Sequence, residues 1–363
     1  MNWFRTAMVF IVIAWQGCSP DSSPDSVSDL ITIPYKPSTF ELKEAAQFVK
    51  MQIPEDNPLT VEGVELGRRL FYDPILSADS TMSCSNCHQQ GLAFTDGQAL
   101  SRGILQLEGR RSAPSLLNIG YHYKGLFWDG RAESLEKQAL IPIEDSLELN
   151  HSWEAVEHKL QKHIDYPVYF RKAFGIEHPE EIKRSLITKA IAQFERILVS
   201  YNSKFDRVLR GEARFNAAEQ RGWSIFFDAS DTLPHSECGH CHVDPLFTDL
   251  DFANNGLEAV NDLNDFRDKG RGSISNNIYD NGKFKTPTLR NIALTSPYMH
   301  DGRFKTLEEV IEHYIRGGHP SFNASPNVRK LELKESDIQD LVAFLNTLTD
   351  STVISNPAFA NPF

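Results

Sequence analysis

Two short segments of the chain share one pattern: Cys84-Ser-Asn-Cys87-His88 and Cys238-Gly-His-Cys241-His242. Each sets two thiols three positions apart with an imidazole directly after, the attachment pattern of c-type haem. On one helical turn the thiols can form thioethers with the two vinyl groups of one porphyrin. The adjacent histidine is then held under the iron as its proximal ligand. A zinc ribbon would draw its cysteine pairs from a much shorter stretch, whereas Cys84 and Cys238 stand 154 positions apart. A thioredoxin-like dithiol has no need of the histidine. With five cysteines in 363 residues, the chain is not a disulfide scaffold either.

The surroundings of the two segments also repeat. Gly67-Arg-Arg-Leu-Phe71-Tyr72-Asp73 precedes the first, and Gly222-Trp-Ser-Ile-Phe226-Phe227-Asp228 the second. Phe94-Thr95-Asp96 returns as Phe247-Thr248-Asp249, Pro114 to Ile119 as Pro287 to Ile292, and Trp128-Asp-Gly-Arg131 as His300-Asp-Gly-Arg303. The offset grows from 153–155 to 172–173 residues because the second copy carries a longer insert. Helical signals recur as well. Asn216-Ala-Ala-Glu219 and Thr306-Leu-Glu-Glu309 are capping boxes. Leu307, Val310, Ile311, Tyr314 and Ile315 form an apolar stripe that Gly317-Gly318 ends. The predicted fold is mainly α, with two tandem cytochrome c-like haem domains at residues 41–205 and 206–350 and a tail at 351–363.

The N-terminus reads as an address. Arg5, an apolar run from Ala7 to Trp15, and Gly17-Cys18 resemble a signal peptide over 1–18. Cys18, unused by the haem motifs, is placed for lipidation, or is incidental to a plain secretory signal, and Ser, Pro and Asp then make 19–40 a flexible tether. Export suits haem c, which is attached outside the cytoplasm, so the expected location is periplasmic, with a lipid anchor through Cys18 as the only membrane contact. A net charge of −12 argues against nucleic acid as a partner.

The copies differ where it matters. Aligned on Asp-Gly-Arg and the leucine that follows, Tyr314 of the second copy falls opposite Pro142 of the first. A phenolate oxygen can ligate ferric iron and a proline cannot. On this reading Tyr314 caps the second iron and leaves the first open to a small ligand; alternatively Tyr314 is a core tyrosine with its hydroxyl bonded elsewhere.

From about residue 40 to 350 the chain resembles the bacterial dihaem cytochrome c peroxidase family, which includes MauG. Phe127-Trp-Asp-Gly-Arg-Ala132 and residues 285–303, Lys-Thr-Pro-Thr-Leu-Arg-Asn-Ile-Ala-Leu-Thr-Ser-Pro-Tyr-Met-His-Asp-Gly-Arg, carry the likeness. The resemblance implies hydrogen peroxide reduction at the N-terminal haem, with electrons stored on the C-terminal one. It implies that Trp128 lies between the haems and that Gln138, Pro142 and Glu148 line the distal pocket. Tyr314 stands where the family's peroxidases have Met and MauG has Tyr. Thr295 and Pro297 match residues whose carbonyls bind calcium, with Ser112 or Asn118 for the family's asparagine. The distal histidine of many relatives is absent, which implies a first haem open without prior reduction. The expected cofactors are two covalent haem c groups and one calcium ion; the expected partners are peroxide and a small cytochrome c or cupredoxin donor, with a homodimer as a further option. Three functions stand open: peroxidase, MauG-like oxidation of residues on a partner protein, and non-catalytic electron carriage. Glu148 and Gln138 would serve as proton-transfer and orienting groups, or as a surface pair at a helix end; Trp128 would carry electrons, or serve only as a core aromatic.

Overall fold

The structure is a computed structural model that describes residues 30–43 and 45–363; the expected signal segment and Cys18 lie outside them. The described chain is mainly helical. The first half runs through α1 (Val61–Tyr72), α2 (Cys84–Cys87), α3 (Leu135–Gln138), α4 (Ile141–Glu144), α5 (Trp153–Lys162), α6 (Tyr166–Phe174) and α7 (Arg184–Arg196). The second has α8 (Lys204–Leu209), α9 (Ala217–Phe226), α10 (Cys238–Cys241), α11 (Gly272–Ser275), α12 (Leu307–Ile315) and α13 (Glu335–Asn346). Both capping boxes form, with Asn216 and Thr306 accepting from the N–H of Glu219 and Glu309. The one sheet among the described residues is an antiparallel ribbon, Phe252–Ala253 with Phe284–Lys285, at the two ends of the insert. No described helix is long and apolar enough to cross a membrane.

The repeated residues take repeated conformations. Gly67 lets α1 press against α7, since a Cβ there would stand 1.9 Å from the Ala190 carbonyl oxygen. Gly222 does the same for α9 and α13, with the Asp340 oxygen at 1.9 Å. Asn118 and Asn291 are both left-handed, at φ 60° and 61°. Each half has its own apolar core: Phe71, Phe94, Leu117 and Phe194 in the first, Phe226, Phe247, Leu341 and Phe344 in the second. A smaller cluster of Phe48, Met51, Tyr121, Val199 and Leu246 joins them.

Three boundaries differ from expectation. Residues 30–40 are not free tether: Leu30 is buried in a further apolar cluster of the first half with Leu66, Leu70 and Ile187, and the Ser38 N–H donates to Glu62 Oε2 at 2.8 Å. The second half begins before 206, because Ser203 caps α8 and Phe205 is buried in the second core. Residues 351–363 are a strap rather than a tail. Val353 and Phe359 are buried in the first core, Gln90 Nε2 donates to the Val353 and Asn356 oxygens at 2.9 Å each, and Tyr72 Oη donates to Phe359 O at 2.7 Å. Phe359→Ala is therefore expected to cost about 3 kcal/mol in guanidinium unfolding of the holoprotein. A loss within experimental error would mean the strap does not hold the first half.

Candidate active site

Both cysteine–histidine segments fold alike. The His88 and His242 N–H groups donate back to Cys84 O and Cys238 O at 3.0 Å each, closing one helical turn. Each chain then passes through a left-handed phenylalanine, Phe94 (φ 61°) or Phe247 (φ 54°), whose carbonyl receives the imidazole. His88 Nδ1 lies 2.9 Å from Phe94 O and His242 Nδ1 3.1 Å from Phe247 O. With the proton on Nδ1, Nε2 is left as the basic nitrogen, the tautomer an iron ligand needs. Burial pushes both imidazoles down, so neither carries charge at neutral pH.

All four thiols are free. Burial pushes Cys87 up to about 12 and Cys238 up to about 11, and raises Cys84 and Cys241 too. A redox dithiol would hold one thiol low instead. Among the described residues, the one cluster of metal-ligating groups close enough to share an ion is Asp228, Glu237 and His240, and no cysteine joins it. At the second motif, paired protonated thiols beside a neutral imidazole, at an apolar cavity, fit a covalently attached porphyrin.

That cavity is large and mainly apolar, and Cys238, Cys241, His242, Tyr314, Asn255 and Met299 all line it. Tyr314 comes from the capping-box helix α12. Asn255 Nδ2 donates to Tyr314 Oη and to Met299 Sδ, at 3.4 Å each. Burial pushes the phenol up to about 12, against the pull of the Asn255 amide. An iron beside it would reverse that preference and favour the phenolate. Asn255 and Met299 were not singled out from sequence. Met299 lies in the repeated segment before Asp301-Gly-Arg303, which was the available signal; Asn255 lies in the insert, which offered none.

Trp128 lines the same cavity, and its Nε1 donates to Ser112 O at 2.9 Å. Its ring meets His300 edge-on, with centroids 6.5 Å apart, and His300 stacks on Phe284 at 3.6 Å. Trp128 and His300 occupy equivalent positions of the repeat, so the two copies touch through the same position. Burial pushes His300 down to about 4.

In the first half, Pro142 lies in α4, and Glu148 follows in a turn whose N–H donates to Asp145 O at 2.9 Å. Gly103 presses on that turn: a Cβ would stand 2.5 Å from Glu148 O. The Glu148 carboxylate is within electrostatic reach of both Cys84 and Cys87. Burial, and then Asp145, push it up to about 7, with Arg131 opposing. Gln138 ends α3 half-buried, and no hydrogen bond joins it to Glu148 among the described residues.

Thr295 and Pro297 line the cavity, with Ser112 nearby, its Oγ donating to Met299 O at 3.0 Å. The Asn118 side chain is engaged with Ser200. Its Oδ1 accepts from Ser200 N at 2.9 Å and its Nδ2 donates to Ser200 O at 3.1 Å. Calcium takes six to eight oxygens, of which Thr295 and Pro297 offer two.

Residues 61–214 match the family model described as di-haem cytochrome c peroxidase. The chain is 40% identical to the methylamine utilization protein MauG of Methylorubrum extorquens, over 81% of this chain and 80% of that protein. It is 35% identical to the cytochrome c551 peroxidase of Nitrosomonas europaea, over 84% of each. A crystal structure of a MauG-like protein associated with microbial copper homeostasis aligns at a TM-score of 0.81 and 35% identity, covering 89% of this chain and 99% of that one. The dihaem peroxidase BthA from Burkholderia thailandensis aligns at 0.69 with 26% identity, over 82% and 88%. The chain belongs to the dihaem cytochrome c peroxidase family that includes MauG, peroxidase-type oxidoreductases built around two c-type haems.

Proposed function

We propose that the chain is two tandem haem domains that reduce hydrogen peroxide to water, with the N-terminal haem as the reactive site and the C-terminal haem as the electron store. The asymmetry of the two halves carries this reading: a half-buried carboxyl pushed up to about 7, Glu148, within electrostatic reach of the first motif, and a phenol, Tyr314, in the cavity of the second. Bound haem supplies the electron transfer. The overall reaction takes two electrons and two protons per peroxide and yields two waters, and the chain must manage the protons. Glu148 takes the proton from the near peroxide oxygen and returns one to the leaving oxygen. A carboxyl poised near 7 does both with little driving-force penalty. Gln138 orients peroxide, and Trp128 links the halves electronically. A small cytochrome c or cupredoxin refills the pair. Thr295 and Pro297 hold a calcium ion, and the protein works in the periplasm, anchored through Cys18.

The 40% identity to MauG and the tyrosine in the cavity of the second motif favour a second reading, in which the oxidising equivalents are passed to residues of a partner protein. Stopped-flow mixing of holoprotein with peroxide, then addition of reduced cytochrome c, separates the two. Sustained cytochrome oxidation supports the peroxidase. Rapid reaction without turnover supports partner oxidation. No spectral response to peroxide would sink both and leave an electron carrier.

Glu148→Gln is expected to slow peroxide consumption by roughly 10²–10⁴-fold while both haem spectra stay intact. As a base, Glu148 must be ionised, so the native rate climbs as pH rises through about 7. The variant should lose that climb. Unchanged kinetics would remove Glu148 from proton transfer.

A further inference from the structure

The ribbon carries Lys285 into the wall of the cavity that Cys238, Cys241 and His242 line. The side chain is 7% exposed, and its ammonium donates to the Gly125 carbonyl oxygen. Its backbone N–H donates to Trp128 O at 2.8 Å. The charged side chain that bears on it is another cation, Lys124, already paired with Asp251 at 2.9 Å. Burial, and then Lys124, push the Lys285 ammonium down to about 8. An ammonium moved from water onto a neutral carbonyl is costly unless an anion joins it. His122 lines the same cavity within electrostatic reach of Lys285, and its Nε2 is buried with no hydrogen-bond partner.

The duplication explains the pair. At the offset that relates Pro114 to Pro287 and Asn118 to Asn291, Lys285 falls opposite Ser112 and His122 opposite Thr295. The antiparallel bridges Leu126–Ala132 and Tyr298–Phe304 are likewise equivalent, which sets Gly125 opposite Pro297. Lys285, His122 and Gly125 are thus the counterparts of Ser112, Thr295 and Pro297. One half offers oxygens to a cation. In the other the chain supplies the cation itself, seated on the Gly125 oxygen.

We propose that Lys285 and His122 form a carboxylate-binding site, and that its ligand is a propionate of the haem attached at Cys238 and Cys241. This rests on the haem reading of the cavity. The cation beside the propionate favours the reduced, less positive state of that haem, so the pair sets its potential as well as its seat.

The test is potentiometric titration of the holoprotein, each haem followed by its own absorption bands, with haem per chain counted by pyridine haemochrome. Lys285→Gln is expected to lower the reduction constant of the C-terminal haem about tenfold, which is about 59 mV for one electron. Lys285→Arg should keep the native value. His122→Gln, at a nitrogen that supports no hydrogen bond in the fold, should give a smaller fall and carries the test if Lys285→Gln does not fold. Two haems per chain with unchanged potentials in Lys285→Gln and His122→Gln, or a shift confined to the N-terminal haem, would overturn the proposal alone. A native chain carrying no covalent haem would overturn the reading it rests on. A holoprotein crystal structure with no propionate oxygen within hydrogen-bonding distance of Lys285 Nζ would also overturn it.

Discussion

Tyr314→Phe is expected to shift the absorption spectrum of the C-terminal haem and raise its reduction potential by on the order of 0.1 V, within the roughly 0.8 V that axial ligands span. The substitution removes one oxygen from a cavity in which Cys238, Cys241 and His242 are already placed. A hard anionic oxygen favours ferric iron, so its loss favours the ferrous state. What remains is softer: Met299 Sδ shares the Asn255 amide with the phenol, at 3.4 Å from the same nitrogen. A thioether drawn to the vacated position would raise the potential further, because sulfur ligands of this kind do so in cytochromes. The initial peroxide reaction should survive, since the proposed proton carrier, Glu148, belongs to the other half. Spectropotentiometry and electron paramagnetic resonance of the ferric protein are the measurements. A variant that matches the native spectrum and potential would show that Tyr314 is a core tyrosine and that the second iron is capped by something else.

The haem motifs were legible because covalent attachment fixes residue types at fixed spacing, and the repeat because it preserves that spacing twice. Equivalence read from the repeat does not give proximity, however. Trp128 and His300 align in sequence, but only the fold brings their rings edge to edge. The insert hid more. Asn255 and Lys285 lie near its ends, and the short ribbon pairing Phe252 with Lys285 carries them to the cavity; two-residue strands have no readable periodicity. The terminal segments misled for a similar reason. Leu30, Val353 and Phe359 sit in short segments rich in Ser, Thr, Asp, Asn and Pro, so composition reads their neighbourhoods as solvated while each side chain is buried. Glu148 was placed by resemblance, and its elevated carboxyl depends on burial that no local sequence pattern reports.

The largest stability effect is expected at Arg290, which stands opposite Leu117 in the repeat and is fully buried where the two halves meet. Its guanidinium donates to both Asp206 oxygens at 2.9 and 3.0 Å, to Pro245 O at 2.6 Å, and lies 4.7 Å from the Phe48 ring centroid. Arg290→Ala leaves the Asp206 carboxylate buried with only Ser203 and Gln47 as donors. Breaking one side of such a pair costs about 3–5 kcal/mol. The pH dependence fixes the cause. Burial raises the Asp206 carboxyl, but hydrogen bonds and charge from Arg290 overcome it and hold the group below its ordinary range. The pair's contribution is therefore present above the unfolded carboxyl value of about 4 and is lost as pH falls through the lower folded value. Without Arg290, burial acts unopposed by that cation and the carboxyl moves up, so the variant should lose less on acidification than the native protein does. Guanidinium unfolding of the holoprotein at pH 7 and at pH 4 should thus show a large penalty that shrinks at the lower pH. Replacing both partners, Arg290→Met with Asp206→Leu, should recover part of the loss, because no buried charge is left unpaired. A single variant within 1 kcal/mol of native at pH 7 would contradict the claim that this buried ion pair holds the second half together.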